Sequence, residues 1–440
     1  MSLPDSESYG DSEYQASQGN IASSARYAAF GAILQAQVSS LDGDAANEKD
    51  LVDSDREDQA DVMVAAGNAD HGAQLLNERL THAQSGTGSA GAVASWATSG
   101  DLKGLSATAC VQTGLSHSFL LPATRTGTTQ QLIVANPSAK DTSLQIDVRG
   151  TGQRGALTLS TGRTLNVAAH KQATLDLSAA APGQDGLFVT VASKETPVAA
   201  IVRMVSMDGL TPKGSDFAMP VGMSAANALD GLEAGDSITL FAYSRKAQQL
   251  KLQWLGPQGS ADAGSWKLEG DKVTVIKPKD SPKDALSLVA SCAGAPCAVQ
   301  AMASDTAGGS ADFAFLSAAP SVSSSTLVMP DKVQGQIILS NPDRLPHTAT
   351  LLAYDRDGRQ LESRKIDLRA HTALSLRANA LGGDARLLVL SGAHRLHWGL
   401  RLSQDDVSGA GLAGIATLTP QPLEPQRAQV RAIRDPRIVH

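Results

Sequence analysis

A chain of 440 residues is long enough for two to four domains, because a single core stops growing well below that length. Its apolar fraction of 42% can fill real cores, while only 4% is aromatic, a composition that suits small sandwich domains with thin cores. A formal net charge of −7 with no basic stripe excludes a nucleic-acid binder, and no run of about 20 apolar residues crosses a bilayer.

Met1 leads straight into an acidic, Ser-rich stretch, Pro4 to Tyr14, which is no signal peptide. Met1-Ser2-Leu3 is compatible with a cloning remnant. Residues 1–110 are expected to be acidic and partly disordered, with some strand or helix leaning on the first sandwich. A helix or strand is expected at Arg26–Val38 and an amphipathic stretch at Ala73–Leu80. The acidic run Asp50, Asp53, Asp55, Glu57, Asp58 and Asp61 reads as a solvated segment rather than a calcium collector. Trp96 and Gly100-Asp-Leu-Lys-Gly-Leu105 lead into Cys110.

An internal repeat begins after that. In the first copy, residues 111–220, an apolar run Gln131–Ala135 ends at Asn136-Pro137, a pair that stops a strand and opens a turn. Leu144, Ile146 and Val148 then alternate, the period of a strand with one buried face. Leu165 and Val167 precede a turn at Ala169-His170, and Ala173, Leu175 and Leu177 follow it. Val189, Val191 and Ser193 lead to Val198, Ala200, Val202 and Arg203.

The second copy, residues 221–322, is fainter. Its runs are Ile238–Ala242, then Leu250, Leu252 and Trp254, then Trp266 and Leu268 before Gly270-Asp271. Leu286, Leu288 and Ala290 lead to Cys292 and Cys297, which bracket four residues at a hairpin tip. That spacing brings two Cα atoms within disulfide range, about 5.5 Å, and no second pair supplies a zinc set. Either a disulfide or two reduced thiols fits, and the disulfide is the reading adopted. Cys110 is either a buried free thiol or the partner of a cysteine outside this sequence.

The third copy, residues 323–420, restates the first: Gln336–Ser340 before Asn341-Pro342, then Thr350, Leu352 and Tyr354, then Ala370-His371. It closes on Val389, Ser391, Leu396, Trp398, Leu400 and Arg401. Residues 421–440 read as a mildly basic tail. The expected fold is therefore all-β: three tandem immunoglobulin-like β-sandwich domains of about 100 residues each, behind an acidic N-terminal region.

The pattern of Gly100 to Cys110, Leu132 to Arg203 and the third copy resembles an actinobacterial family called domain of unknown function 5719. The departure is His117-Ser-Phe119, where the family often carries an aromatic pair. The resemblance implies an extracytoplasmic, β-rich body behind an N-terminal membrane anchor, and imports no activity.

Candidate chemistry reads weakly. His170 and His371 occupy equivalent turns, which is better explained by turn geometry than by metal. On a strand, His394 and His397 point to opposite faces. Asp355-Arg-Asp357-Gly358 lacks the flanking ligands of an EF-hand and suits a hairpin turn. Gly114-Leu-Ser116-His-Ser118 lacks the second Gly of a nucleophile elbow. Arg203 and Arg401 read as structural bridges to neighbouring turns. No catalytic, cofactor or metal residue is assigned. Two functions stay open: a non-catalytic envelope scaffold with an unknown protein partner, or a glycan-binding accessory of cell-surface polysaccharide assembly. Trp254, Trp266 and Trp398 fall on strands and are expected in cores, which leaves the glycan reading without a repeated aromatic platform.

Overall fold

The computed structural model describes residues 2–3, 21–42, 48–53, 62–68 and 72–424. The alternating runs are strands. In the first sandwich they are Ser116–Leu121, Thr128–Asn136, Thr142–Arg149, Thr164–Val167, Lys171–Asp176, Leu187–Ser193, Ala199–Asp208 and Thr211–Ala218. Numbered by place along the copy, strands 1-6-3-4 form one antiparallel sheet and 5-2-7-8 the other. Leu144, Ile146 and Val148 of the third strand face Leu132, Val134, Ala200 and Val202 of the opposite sheet. Full burial of each Leu, Ile or Val contributes about 1.5–3 kcal/mol. The pairings 2–5 and 3–6 are those of immunoglobulin sheets, whereas placing the first strand beside the sixth and the seventh beside the second is this chain's own order.

The same order recurs from Ala226–Asp230 to Ser310–Ser317 and from Ser324–Val328 to Ala416–Leu418. Asn136 and Asn341 hold the same place, the end of the second strand, opposite Lys171 and Thr372.

A fourth unit joins the three expected ones. Ser2–Leu3, Ala22–Phe30, Ile33–Ser40, Lys49–Asp50, Val62–Gly67, Gln74–Leu80, Gly88–Ala97 and Gly104–Ala109 take the eight places in the same two sheets, with Val52–Asp53 added at one edge. The segment Arg26–Val38 is thus two strands rather than a helix, turned at Gly31 with φ 73°. Ala73–Leu80 is mostly the sixth strand. Alternation alone hid this copy, because its long second and seventh strands are almost wholly buried on both faces. The disorder expected in the acidic run falls on residues 54–61, which lie outside the described residues.

Double burial follows from how the sandwiches stack. Each lays the outer face of its 1-6-3-4 sheet on the outer face of the next sandwich's 5-2-7-8 sheet. Leu75 of the N-terminal unit meets Ile133, Ala199 and Ile201 of the first. Phe188 of the first stacks on Tyr243 of the second, with ring centroids 3.8 Å apart. Ala228 and Val289 of the second meet Ala373 of the third. Val328, Leu387 and Val389 of the third meet Ala28, Phe30 and Ala90 of the N-terminal unit. The last contact closes the series into a ring, the outcome of a head-to-tail interface whose rotation closes. At its centre the four eighth strands lie against one another in cyclic order.

The start of the supposed tail is part of the closure. Gln421–Pro422 pairs with Thr326 and Ser325, and the Leu423 carbonyl accepts from Gly86 N at 2.8 Å. The Gln421 amide donates to the Cys110 carbonyl at 2.9 Å. Across the same seam, Arg26 makes a two-pronged contact with Asp331 at 2.7 and 2.8 Å.

Candidate functional site

Buried polar groups are expensive unless they are paired, so they mark what the fold is built to hold. Two carboxylates lie at the ring's centre. Asp216, on the eighth strand of the first sandwich, accepts from Phe315 N at 2.7 Å and Ala107 N at 3.4 Å. Asp312, on the eighth strand of the second, accepts from Leu105 N at 2.9 Å and Ile415 N at 3.2 Å. Together they tie all four sandwiches. Glycine makes room for them: a Cβ at Gly104 would lie 2.7 Å from Asp312 Oδ2, and one at Gly214 would overlap the same residue. Burial raises the pKa of Asp216 to about 8, against three backbone N–H donors that favour its ionised form. Burial likewise raises Asp312 well above the carboxylate range, with Asp216 adding repulsion. Sequence reasoning missed this pair. The signal was available as a repeated Asp-Phe-Ala, at Asp216–Ala218 and Asp312–Ala314.

A Ser/His/Asp set gathers between the second and third sandwiches. Asp230 is register-paired with Ser287 on one side, and His397 with Ser340 on the other. Burial raises the pKa of Asp230 and lowers that of His397. Ser287 and Ser340 are fully buried, so neither has a path to a substrate, and the set is an interface seal.

The repeated histidines have a backbone explanation. His170, Asp271 and His371 take one turn in three successive copies with φ of 54°, 57° and 53°. His and Asp are among the few side chains that tolerate this left-handed region. The two histidine turns are buttressed by the preceding Asn-Pro loop. The Asn136 amide donates to the carbonyls of Lys140, Val167 and Ala168 at 2.8, 3.3 and 3.1 Å, and its oxygen accepts from Ser138 N at 3.0 Å. Asn341 does the same with Leu345, Leu368, Arg369 and Asp343 N at 2.9, 3.2, 3.1 and 3.0 Å.

The remaining sequence candidates are structural. Asp355 accepts from the backbone N–H groups of Asp357 and Arg359, both at 2.9 Å, with Gly358 at φ 86°: a hairpin turn. His117 lies buried with Nε2 2.7 Å from the Val198 carbonyl. Arg401 reaches back to Asp236 of the second sandwich at 2.7 Å, the bridge to a neighbouring turn that its position suggested. Trp254 and Trp398 are core residues, with Nε1 donating to the Lys279 carbonyl and to Ser325 Oγ. Trp266 is half-buried against its own core. Among the described residues no group of three His, Cys, Asp or Glu is arranged for a metal.

Cys292 and Cys297 are joined as a disulfide across the hairpin of the sixth and seventh strands, Cα to Cα 6.3 Å. Structural disulfides persist in oxidising compartments, which argues for a life outside the reducing cytoplasm. No helix among the described residues is long and apolar enough to cross a membrane. Cys110 is a buried thiol whose pKa burial pushes up to about 12. Alkylation should therefore label no cysteine in the folded protein, Cys110 alone after unfolding without reductant, and all three after reduction. Three labelled thiols before reduction would contradict the disulfide.

A cleft of about 570 Å³ lies between the second and third sandwiches. It is polar, with Arg377, Gln334, Gln336 and Asn379 on one wall and Glu233 and Asp305 on the other. Gln334 and Gln336 are held by Asp405 and Ser375 Oγ, while Arg377 is exposed. A second cleft, about 190 Å³ between the first and second sandwiches, is mainly apolar, from Met204, Phe241, Val275, Met302 and Phe313.

Comparison with known proteins gives a family without an activity. The sequence profile described as "Family of unknown function (DUF5719)" matches residues 64–379. No curated protein matches the chain. Among solved structures, "Crystal structure of tetra-tandem repeat in extending region of large adhesion protein" is similar at 12% identity and a TM-score of 0.12, over 91% of this chain and 92% of that one. A score that low carries no argument about this chain.

Proposed function

We propose a function for this chain, which belongs to the DUF5719 family of unknown function: it is a non-catalytic extracytoplasmic scaffold of the cell envelope, held by an N-terminal membrane segment outside this sequence. The observation that carries the reading is the closed ring. Its charged groups at the centre and between sandwiches are committed to holding four units together, which leaves loop tips and outer edges to meet a protein partner. The disulfide at Cys292–Cys297 supports the compartment. A membrane-impermeant biotin reagent applied to intact cells that make the protein tests it. Labelling equal to that of a known surface protein is expected, and labelling only after lysis would sink the proposal.

A second reading, a glycan-binding accessory of surface-polysaccharide assembly, is favoured by the polar cleft, where an arginine and three amides could address sugar hydroxyls or carboxylates. Against it, the cleft has no aromatic platform. On a glycan array we expect nothing tighter than about millimolar, roughly −4 kcal/mol. Micromolar binding abolished by Arg377→Ala would put the glycan reading first.

A further inference from the structure

The ion pairs that hold the second and third sandwiches together leave two charges over in the polar cleft between them. Arg401 meets Asp236 at 2.7 Å and Glu233 at 3.2 Å. Arg386 meets Asp331 at 3.4 Å and Asp384 at 3.8 Å. The other charged side chains on the lining are Arg377 and Asp305. Arg377 stands exposed at the end of the third sandwich's fifth strand, Thr372–Arg377, with no ion pair among the described residues. Asp305 is half-buried on the second sandwich's seventh strand, Cys297–Ala307. One of its oxygens accepts from Thr306 N at 2.7 Å, and it meets no cation among the described residues.

Two opposite charges within reach of each other form an ion pair. These two line one cleft without meeting, because each is fixed to its own wall by a ladder: Arg377 is paired across strands with Gln336, and Asp305 with Asp312. A ligand that carries both charges bridges what the fold keeps apart. A guanidinium presents paired N–H donors that match a carboxylate, and a carboxylate accepts from an ammonium. With both engaged, every charge on the lining is met, so the ligand is a zwitterion with no net charge. The volume of about 570 Å³ lies in the range of about 300–1,000 Å³ that holds a drug-sized molecule, more than a single amino acid fills. The Asn379 amide and the Ser403 hydroxyl, both exposed on the lining, can address the N–H and C=O of peptide bonds.

We infer that this cleft binds a short peptide with free ends, about two to four residues long, its carboxylate on Arg377 and its ammonium on Asp305. The site is separate from the loop tips and edges assigned to a protein partner, and it puts a peptide where the second reading has a sugar.

Calorimetric titration of the full chain with trialanine tests this. One molecule per chain is expected to bind, with a Kd below about 1 mM. N-acetylation and C-terminal amidation of the peptide should each weaken binding about tenfold or more. Arg377→Ala should erase the difference between acid and amide and keep that between free and acetylated amine. Asp305→Asn should do the reverse. A urea midpoint equal to the parent's shows that a variant is folded, and the peptide derivatives on the unaltered protein decide the matter should one not be. A weaker Kd for trialanine overturns the proposal, as do derivatives that bind as well as trialanine itself. Galacturonic acid, which has the carboxylate and no amine, should bind at least about tenfold more weakly than trialanine. Equal binding would return the cleft to the sugar.

Discussion

Asp312→Ala is expected to cost about 3 kcal/mol or more. It removes the carboxylate acceptor of the buried Leu105 and Ile415 amides. Because those amides belong to two other sandwiches, the loss should appear as separation of the ring rather than melting of one unit. Urea unfolding should then split into two transitions. A single transition at the parental midpoint would show that the centre does not hold the ring. Asp216 adds a pH dependence. Its folded pKa, about 8, lies above the ordinary 3.8. A raised carboxyl pKa stabilises fully below the unfolded value and loses that contribution as pH rises through the folded one. Stability should therefore fall between about pH 4 and pH 8, by up to roughly 1.4 kcal/mol per unit. Asp216→Asn, which cannot ionise, should reduce this slope by the Asp216 share, while Asp312, raised in the same direction, keeps its own. A slope of the same size in that variant would show that another group carries it.

Asn136→Ala and Asn341→Ala should each cost about 2–3 kcal/mol, and their effects should add, because the sites share no partner and lie in different sandwiches. Each asparagine satisfies three carbonyls and one amide from the two loops at one end of its sandwich. Asparagine to aspartate should be worse than alanine at neutral pH, since it aims a carboxylate at three carbonyl oxygens. Calorimetry of the singles and the double variant measures this. Asp variants more stable than the Ala variants would contradict the assigned amide orientation.

Short-range patterning was enough for much of this molecule. Alternation placed the third strand of the first copy through Leu144, Ile146 and Val148, and the spacing of Cys292 and Cys297 gave their hairpin and bond. Asn136-Pro137 and Asn341-Pro342 marked equivalent turns because proline stops a strand wherever it falls. Ala169-His170 and Ala370-His371 were legible as equivalent turns, although the left-handed backbone that selects the histidines is seen only in the fold.

The content of each sandwich was thus legible from local chemistry, where strand period, turn residues and hairpin closure act within about ten residues of one another. The tertiary structure alone decided the fourth sandwich, the ring and the sites between units. Ala22–Phe30 and Gly88–Ala97 are buried on both faces, by their own sandwich and by the third one across the seam, so their pattern carries no alternation to read. Asp216 and Asp312 look like surface aspartates in sequence. Their meaning comes from amides about 100 and 200 residues away that only the closed ring brings to them.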